Sequence, residues 1–209
     1  MSQIPIVTHE DEVALAKLDV ELADIIKKIG KKIGQLSSQE RSLGDSYQDY
    51  SKILAEYARK MRDISKQMEV LAREERSGIE AAEVDAFKKK IAAVDDQTKK
   101  IETYYDRMKD LAVHKEGLTK KMDEYAVLMV ENAKIRKRIV EFGLRIEKEK
   151  NKMIAADSLS KLEDDLKDTE RDFERSKKEL EKKWDQLVQE RAEVNGMWIA
   201  FKNSIDKFE

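Results

Sequence analysis

Apolar side chains recur at alternating three- and four-residue steps through three long blocks of this chain. The first block reads Leu15, Leu18, Leu22, Ile25, Ile29, Ile33, Leu36, Leu43, Tyr47, Tyr50, Leu54, Tyr57, Met61, Ile64, Met68 and Leu71. Such spacing sets the side chains on one narrow stripe of a helix and leaves the remaining faces to charge. A helix from Glu10 to Leu71 is roughly 90 Å long at 1.5 Å rise per residue. The tract Ser37, Ser38, Gln39, Glu40 skips a stripe position, and with Gly30, Gly34 and Gly44 nearby it predicts a bend or loosening.

A second stripe runs Val84, Phe87, Ile91, Val94, Ile101, Tyr105, Met108, Leu111, Leu118, Met122, Tyr125, Leu128, Ile135, Ile139, Phe142 and Ile146, with polar interruptions at Thr98, Lys115 and Asn132. A third runs from Leu159 through Leu162, Leu166, Thr169, Phe173, Ser176, Leu180, Trp184, Leu187, Val194, Trp198, Phe201 and Ile205 to Phe208. The turns fall at residues 73–82, where Ser77 and Gly78 break the pattern, and at residues 151–158, where Asp157 or Ser158 is placed to cap the next helix. Two short connections between three rods predict an all-α, antiparallel, up-down-up three-helix coiled coil over residues 10–209. Residues 1–9, with the lone Pro5, read as an arm or linker remnant.

Composition agrees. Charged residues make up 41% and aromatics 6%, with seven glycines and one proline, which suits long solvated helices and not a sheet. Narrow stripes give a thin core, so dimerisation is the expected source of further burial. Cysteine is absent, which removes disulfides and thiolate chemistry and is compatible with a reducing compartment. No apolar run approaches the roughly 20 residues that cross a bilayer, so the expected location is cytoplasmic.

Catalytic chemistry has little material here. His9 and His114 are the only histidines, and His114 has no Glu or His at the spacing of a helical ligand pair, so it reads as a surface or boundary residue and no metal site is expected. Neighbouring carboxylates such as Asp95 and Asp96 diverge around the helix, and the glycines are scattered rather than gathered into a phosphate loop. The chain reads as a non-enzyme without cofactors. Trp184, Trp198 and Phe201 fall on the third stripe and are expected to pack in the core or at a dimer seam.

The small net charge of −2 hides a segregation of sign. Between Lys134 and Lys152 lie eight basic residues, Lys134, Arg136, Lys137, Arg138, Arg145, Lys148, Lys150 and Lys152, against three acidic ones. A second cluster is Lys27, Lys28, Lys31 and Lys32, and Lys88, Lys89 and Lys90 form a third. Residues 157–193 carry thirteen acids and nine bases. Basic clusters attract anionic lipid headgroups at about 1 kcal/mol per Lys or Arg near the surface. Nucleic acid is a poorer partner, because no basic face is interleaved with exposed aromatics.

Three long helices, two short turns and a basic tip between the second and third together resemble the BAR domain of the sorting nexins. The stretch from Asp123 to Met153, in which a Tyr-containing apolar segment leads into basic residues, is similar to the end of that family's second helix. The stretch from Ser158 to Trp184, followed by MWIAFKNSIDKF, is similar to its third. The resemblance implies a crescent-shaped homo- or heterodimer with a six-helix central bundle. It further implies binding to anionic, phosphoinositide-containing endosomal membranes, in curvature sensing or generation, tubule formation and protein sorting, with a possible cargo-sorting coat complex as partner. The family's basic tip maps onto Arg145, Lys148, Lys150 and Lys152. The PX domain that precedes the BAR domain in sorting nexins has no counterpart within these residues, so the chain is expected to be either an excised BAR domain beginning in the linker or a stand-alone BAR protein. The alternative is a cytoskeletal or tethering coiled-coil adaptor, a spectrin-like spacer without direct membrane binding.

Overall fold

A computed structural model describes residues 9–74, 81–150 and 156–205. They form three α-helices: α1 (His9–Glu74), α2 (Ala81–Lys150) and α3 (Ala156–Ile205). The acidic trio after His9 occupies the first turn of α1, where the helix dipole favours negative charge. The capping expectation for α3 needs correcting, because the helix begins at Ala156. Asp157 and Ser158 therefore fall within the first turn instead of flanking it. The turns themselves, residues 75–80 and 151–155, lie outside the described residues.

Contacts fall into two compact units, each drawing on all three helices. Unit 1 is Met1–Gln39 with Thr119–Gln189, and unit 2 is Glu40–Leu118 with Glu190–Glu209. Within unit 1, Asp19 meets Arg136, Asp24 meets Lys137 and Ser37 meets Thr119, so α2 descends as α1 climbs. Glu124 meets Lys183, and Asn132 meets Ser176, which sets α3 antiparallel to α2. In unit 2 the same directions hold: Lys115 pairs with Glu40, Tyr104 packs against Phe201, and Tyr47 stacks on Trp198.

Part of the stripe that large side chains mark on α1 lies outside its buried face, while Ile33, Tyr47, Leu54, Met61 and Met68 are partly buried. At seven-residue steps Leu15, Leu22, Ile29, Leu36, Leu43, Tyr50, Tyr57, Ile64 and Leu71 are each at least 40% exposed. The adjacent row, one position on, is buried: Ala23, Gly30, Ser37, Gly44, Ser51, Ala58 and Ser65. Small residues let two helix backbones approach closely. In unit 1 a Cβ placed on Gly30 would lie 3.0 Å from the Ala126 carbonyl oxygen and 3.0 Å from Met129 Cβ. Ser37 donates a 2.9 Å hydrogen bond to the Thr119 carbonyl across the same seam. Ala126, Thr119 and Ala133 supply the matching small side of α2. Ser37 therefore sits at a close contact inside an uninterrupted helical assignment, where the sequence suggested loosening.

The stripe of α2 faces inward, and none of its described members is exposed. Ile91, Met108, Leu111, Leu118 and Ile146 are buried. Its three polar interruptions are buried as well, and each finds a partner. The Thr98 hydroxyl donates to the Val94 carbonyl, Lys115 pairs with Glu40 and lies over the Tyr47 ring, and the Asn132 amide donates to Ser176 Oγ. On α3, Leu187, Val194 and Phe201 are buried. Trp184 and Trp198 do reach seams, against Tyr125 and Tyr47, yet remain 48% and 42% exposed. Only Phe201 of the three is fully packed within the chain.

Candidate functional site

Two of the basic clusters meet in unit 1. Lys27, Lys28, Lys31 and Lys32 lie on α1, and Lys134, Arg136, Lys137 and Arg138 lie on the segment of α2 that runs back beside it. The antiparallel register brings Lys137 to Asp24, with a 2.6 Å ion pair. The Asp24 carboxyl is held below the usual carboxylate range, first by the hydrogen bond from Lys137 and, against an opposing desolvation that is the next largest effect, by the nearby charges of Lys137, Lys27 and Lys28. One carboxylate thus senses lysines from both clusters.

Beside it, a groove of about 290 Å³ runs along the α1–α2 seam, lined by Gly30, Lys31, Gly34, Ala126, Val127, Val130, Glu131 and Lys134. The groove exists because glycines occupy 30 and 34. Its floor is apolar, Val127 is 57% exposed, and Lys31 and Lys134 stand on opposite sides. Lys28, Lys31, Lys32, Lys134 and Arg138 are exposed, while Lys27 is half-buried.

The cluster members are not equivalent. Arg136 donates to Asp19 at 2.6 Å and lies 6.0 Å from the Phe173 ring centre, half-buried, so part of its charge is already committed to fastening the three helices. Lys137 is likewise engaged with Asp24. Towards the end of α2, Arg145 and Lys148 are exposed and Lys150 pairs with Glu163 of α3 at 3.3 Å. Lys152 lies outside the described residues. The opposite sign gathers on α3, whose exposed surface in unit 1 carries i, i+3 pairs such as Arg171 with Asp168 and Arg175 with Asp172. Those pairs are self-neutralising and solvated. Within unit 1 the basic clusters therefore lie on α1 and α2, whereas charges on α3 pair along the helix.

Compared with protein-family models, with curated proteins and with solved structures, the chain matches none. The reading of the site rests on its geometry. Among the described residues no helix is long and apolar enough to cross a membrane.

Sequence reasoning found the basic residues but could not say that lysines a hundred positions apart share one carboxylate. It missed the seam beneath them. An unbroken row of small residues, Ala16, Ala23, Gly30, Ser37, Gly44, Ser51, Ala58 and Ser65, carries the signal, but large apolar residues one position earlier repeat with the same period. His114, read as lacking a nearby ligand, faces Glu190 and Glu193 from α3.

In unit 2 the notable surface is apolar. Tyr104 meets Phe201 close to the last described turn of α3 at Ile205. From there on, by the antiparallel register, α1 and α2 have only each other among the described residues. Tyr57, Ile64, Val70 and Leu71 are about half exposed on that stretch.

Proposed function

We propose that this chain is a self-associating helical scaffold that binds anionic, phosphoinositide-containing membranes and senses or generates their curvature, acting peripherally on endosomes in tubule formation and protein sorting. It is the function of the sorting-nexin BAR domain that its sequence resembles. The observation that carries the reading is the convergence of Lys27, Lys28 and Lys137 around Asp24, beside the groove between Lys31 and Lys134. A basic surface drawn from two helices presents several charges to one headgroup layer, and each adds about 1 kcal/mol of attraction. Exposed, apolar Val127 in the groove lining suits the headgroup boundary.

Self-association accounts for the second surface. The half-exposed row Tyr50, Tyr57, Ile64 and Leu71 on α1 of unit 2 is at the spacing that a partner helix covers, and a second copy brings the same row. A dimer multiplies the weak attraction of each basic surface by tethering two of them. The same exposed row would also suit the tethering adaptor, which takes protein helices and needs no lipid.

Co-sedimentation with vesicles containing phosphatidylserine and phosphoinositide tests the reading. The wild type should pellet with them, more weakly as salt rises because the attraction is screened beyond about 8 Å at physiological ionic strength. Changing Lys28, Lys31, Lys134 and Arg138 to Glu should abolish pelleting while leaving helicity and self-association intact. A wild type that stays in the supernatant at low salt, while still self-associating, would transfer the reading to the adaptor.

A further inference from the structure

We propose that His114 on α2 and Glu190 and Glu193 on α3 form a binding site for a divalent transition-metal ion of the zinc class, which clamps the two helices together within unit 2. One ligand atom from each of the three residues lies within 4.8 Å of the others. His114 Nδ1 and Glu190 Oε1 are 3.6 Å apart. That is longer than a good hydrogen bond. It is close to the separation of two ligands on one zinc ion, roughly 3.4 Å for a tetrahedron with bonds of about 2.1 Å.

The donors suit the ion. One imidazole nitrogen and two carboxylates make a mixed set favoured by borderline metals, not by calcium or magnesium, which prefer oxygen throughout. Three protein ligands leave the fourth position to water. Glu190 and Glu193 are three apart on α3 and so project from one face of it, towards a histidine that α2 supplies.

A glycine makes the space. A Cβ on Gly117, one turn beyond His114, would sit 3.1 Å from Glu190 Oε1. The Glu190 side chain, only 13% exposed, thus lies against the bare backbone of α2, whereas Glu193 is exposed and His114 is partly so. The carboxylate is held at the helix surface by packing, and the more accessible pair can close on an arriving ion with small rotamer changes. Such a clamp would strengthen the α2–α3 seam of unit 2, where Leu118 and Val194 are buried, without adding apolar area.

The test is calorimetric titration of the intact chain with zinc chloride in a non-chelating buffer at neutral pH, paired with thermal melting followed by circular dichroism. One saturable site per chain is expected, with a rise in melting temperature, since an ion that binds only the folded state stabilises it. His114→Ala should weaken binding by more than about tenfold and remove the rise, and so should Glu193→Gln, whose exposed position spares the fold. His9→Ala, which removes the other histidine, should bind as the wild type does. Cobalt should give the visible absorption of a low-symmetry four-coordinate site in the wild type only. Binding that is absent, unsaturable up to millimolar zinc, or unchanged in both His114→Ala and Glu193→Gln would overturn the proposal.

Discussion

The two units of this chain use the same three helices to different ends. Unit 1 is closed along its α1–α2 seam by small residues, with Gly30 against the Ala126 carbonyl and Ser37 bonded to the Thr119 backbone; its outer face on those helices is basic. Unit 2 carries its rings in the seam with α3, where Tyr47 stacks on Trp198 and Tyr104 meets Phe201 edge-on. Its α1 row from Leu43 to Leu71 stays half exposed. The row of large apolar residues along α1 is exposed in both regions, from Leu15 to Leu36 as from Leu43 to Leu71, and the small row beside it is buried in both. The difference lies in what accompanies these rows: lysines at 27, 28, 31 and 32, but tyrosines at 47, 50 and 57.

The largest effect should come from crowding the close seam. Gly30→Leu places a branched side chain where even a Cβ meets backbone and Met129, and overpacking of this kind costs about 3 kcal/mol. Denaturant melts should show that loss. Gly143→Ala and Gly196→Ala, where an added Cβ meets nothing within 4 Å, should instead stabilise by roughly 0.5–1 kcal/mol, because alanine is the better helix former. If Gly30→Leu is as benign as those two, the seam is not tight.

The open row of unit 2 should respond oppositely. Tyr57→Glu with Ile64→Glu leaves the monomer's packing intact, because both residues are about half exposed. Sedimentation velocity at micromolar concentration should nevertheless shift from dimer to monomer. Unaltered sedimentation would mean that this row is not where copies meet.

Smaller again is the effect of Ser37→Ala. It leaves the Thr119 carbonyl without its cross-seam donor, at a cost of about 1 kcal/mol. Glu124 supplies the mildest test. Its carboxyl is held below the usual range, first by the hydrogen bond from Lys183, with nearby Lys183, Lys120 and Lys121 adding to the effect against opposing desolvation. A carboxylate depressed in the folded state contributes stability above its unfolded pKa, about 4.3, and that contribution is lost as pH falls through the lower folded value. Acid melts should therefore show the wild type losing its advantage over Glu124→Gln below about pH 4, and a constant difference down to pH 2 would contradict the coupling.

Much of this architecture was legible in the residues. Three helices, their approximate ends and the inward-facing stripe of α2 follow from period and turn chemistry, although apolar positions off that stripe, Val113, Val127 and Leu144, stay exposed. The phase of α1 was not legible, because Leu22 and Ala23, or Leu36 and Ser37, repeat together and only the facing helix decides which row is buried. Large side chains draw the eye, whereas close approach selects the small ones. The polar residues Lys115 and Asn132 looked like gaps for a related reason, their partners Glu40 and Ser176 being far away in sequence. Of the candidate site, the charges were visible and their convergence was not. Asp24 meets Lys137 only through the antiparallel register, and whether Arg136 is free or fastened to Asp19 depends on the third dimension.

The claim that unit 1 meets membrane through its α1–α2 face can be tested by position-specific fluorescence, because the chain has no cysteine to interfere. Val127→Cys, beside the groove, and Glu174→Cys, on exposed α3, are each labelled with a polarity-sensitive dye and mixed with vesicles containing phosphatidylserine and phosphoinositide. The account predicts a blue shift at 127, reversed by high salt, and little change at 174. A shift confined to 174, or none at 127 when the protein is bound, would contradict it.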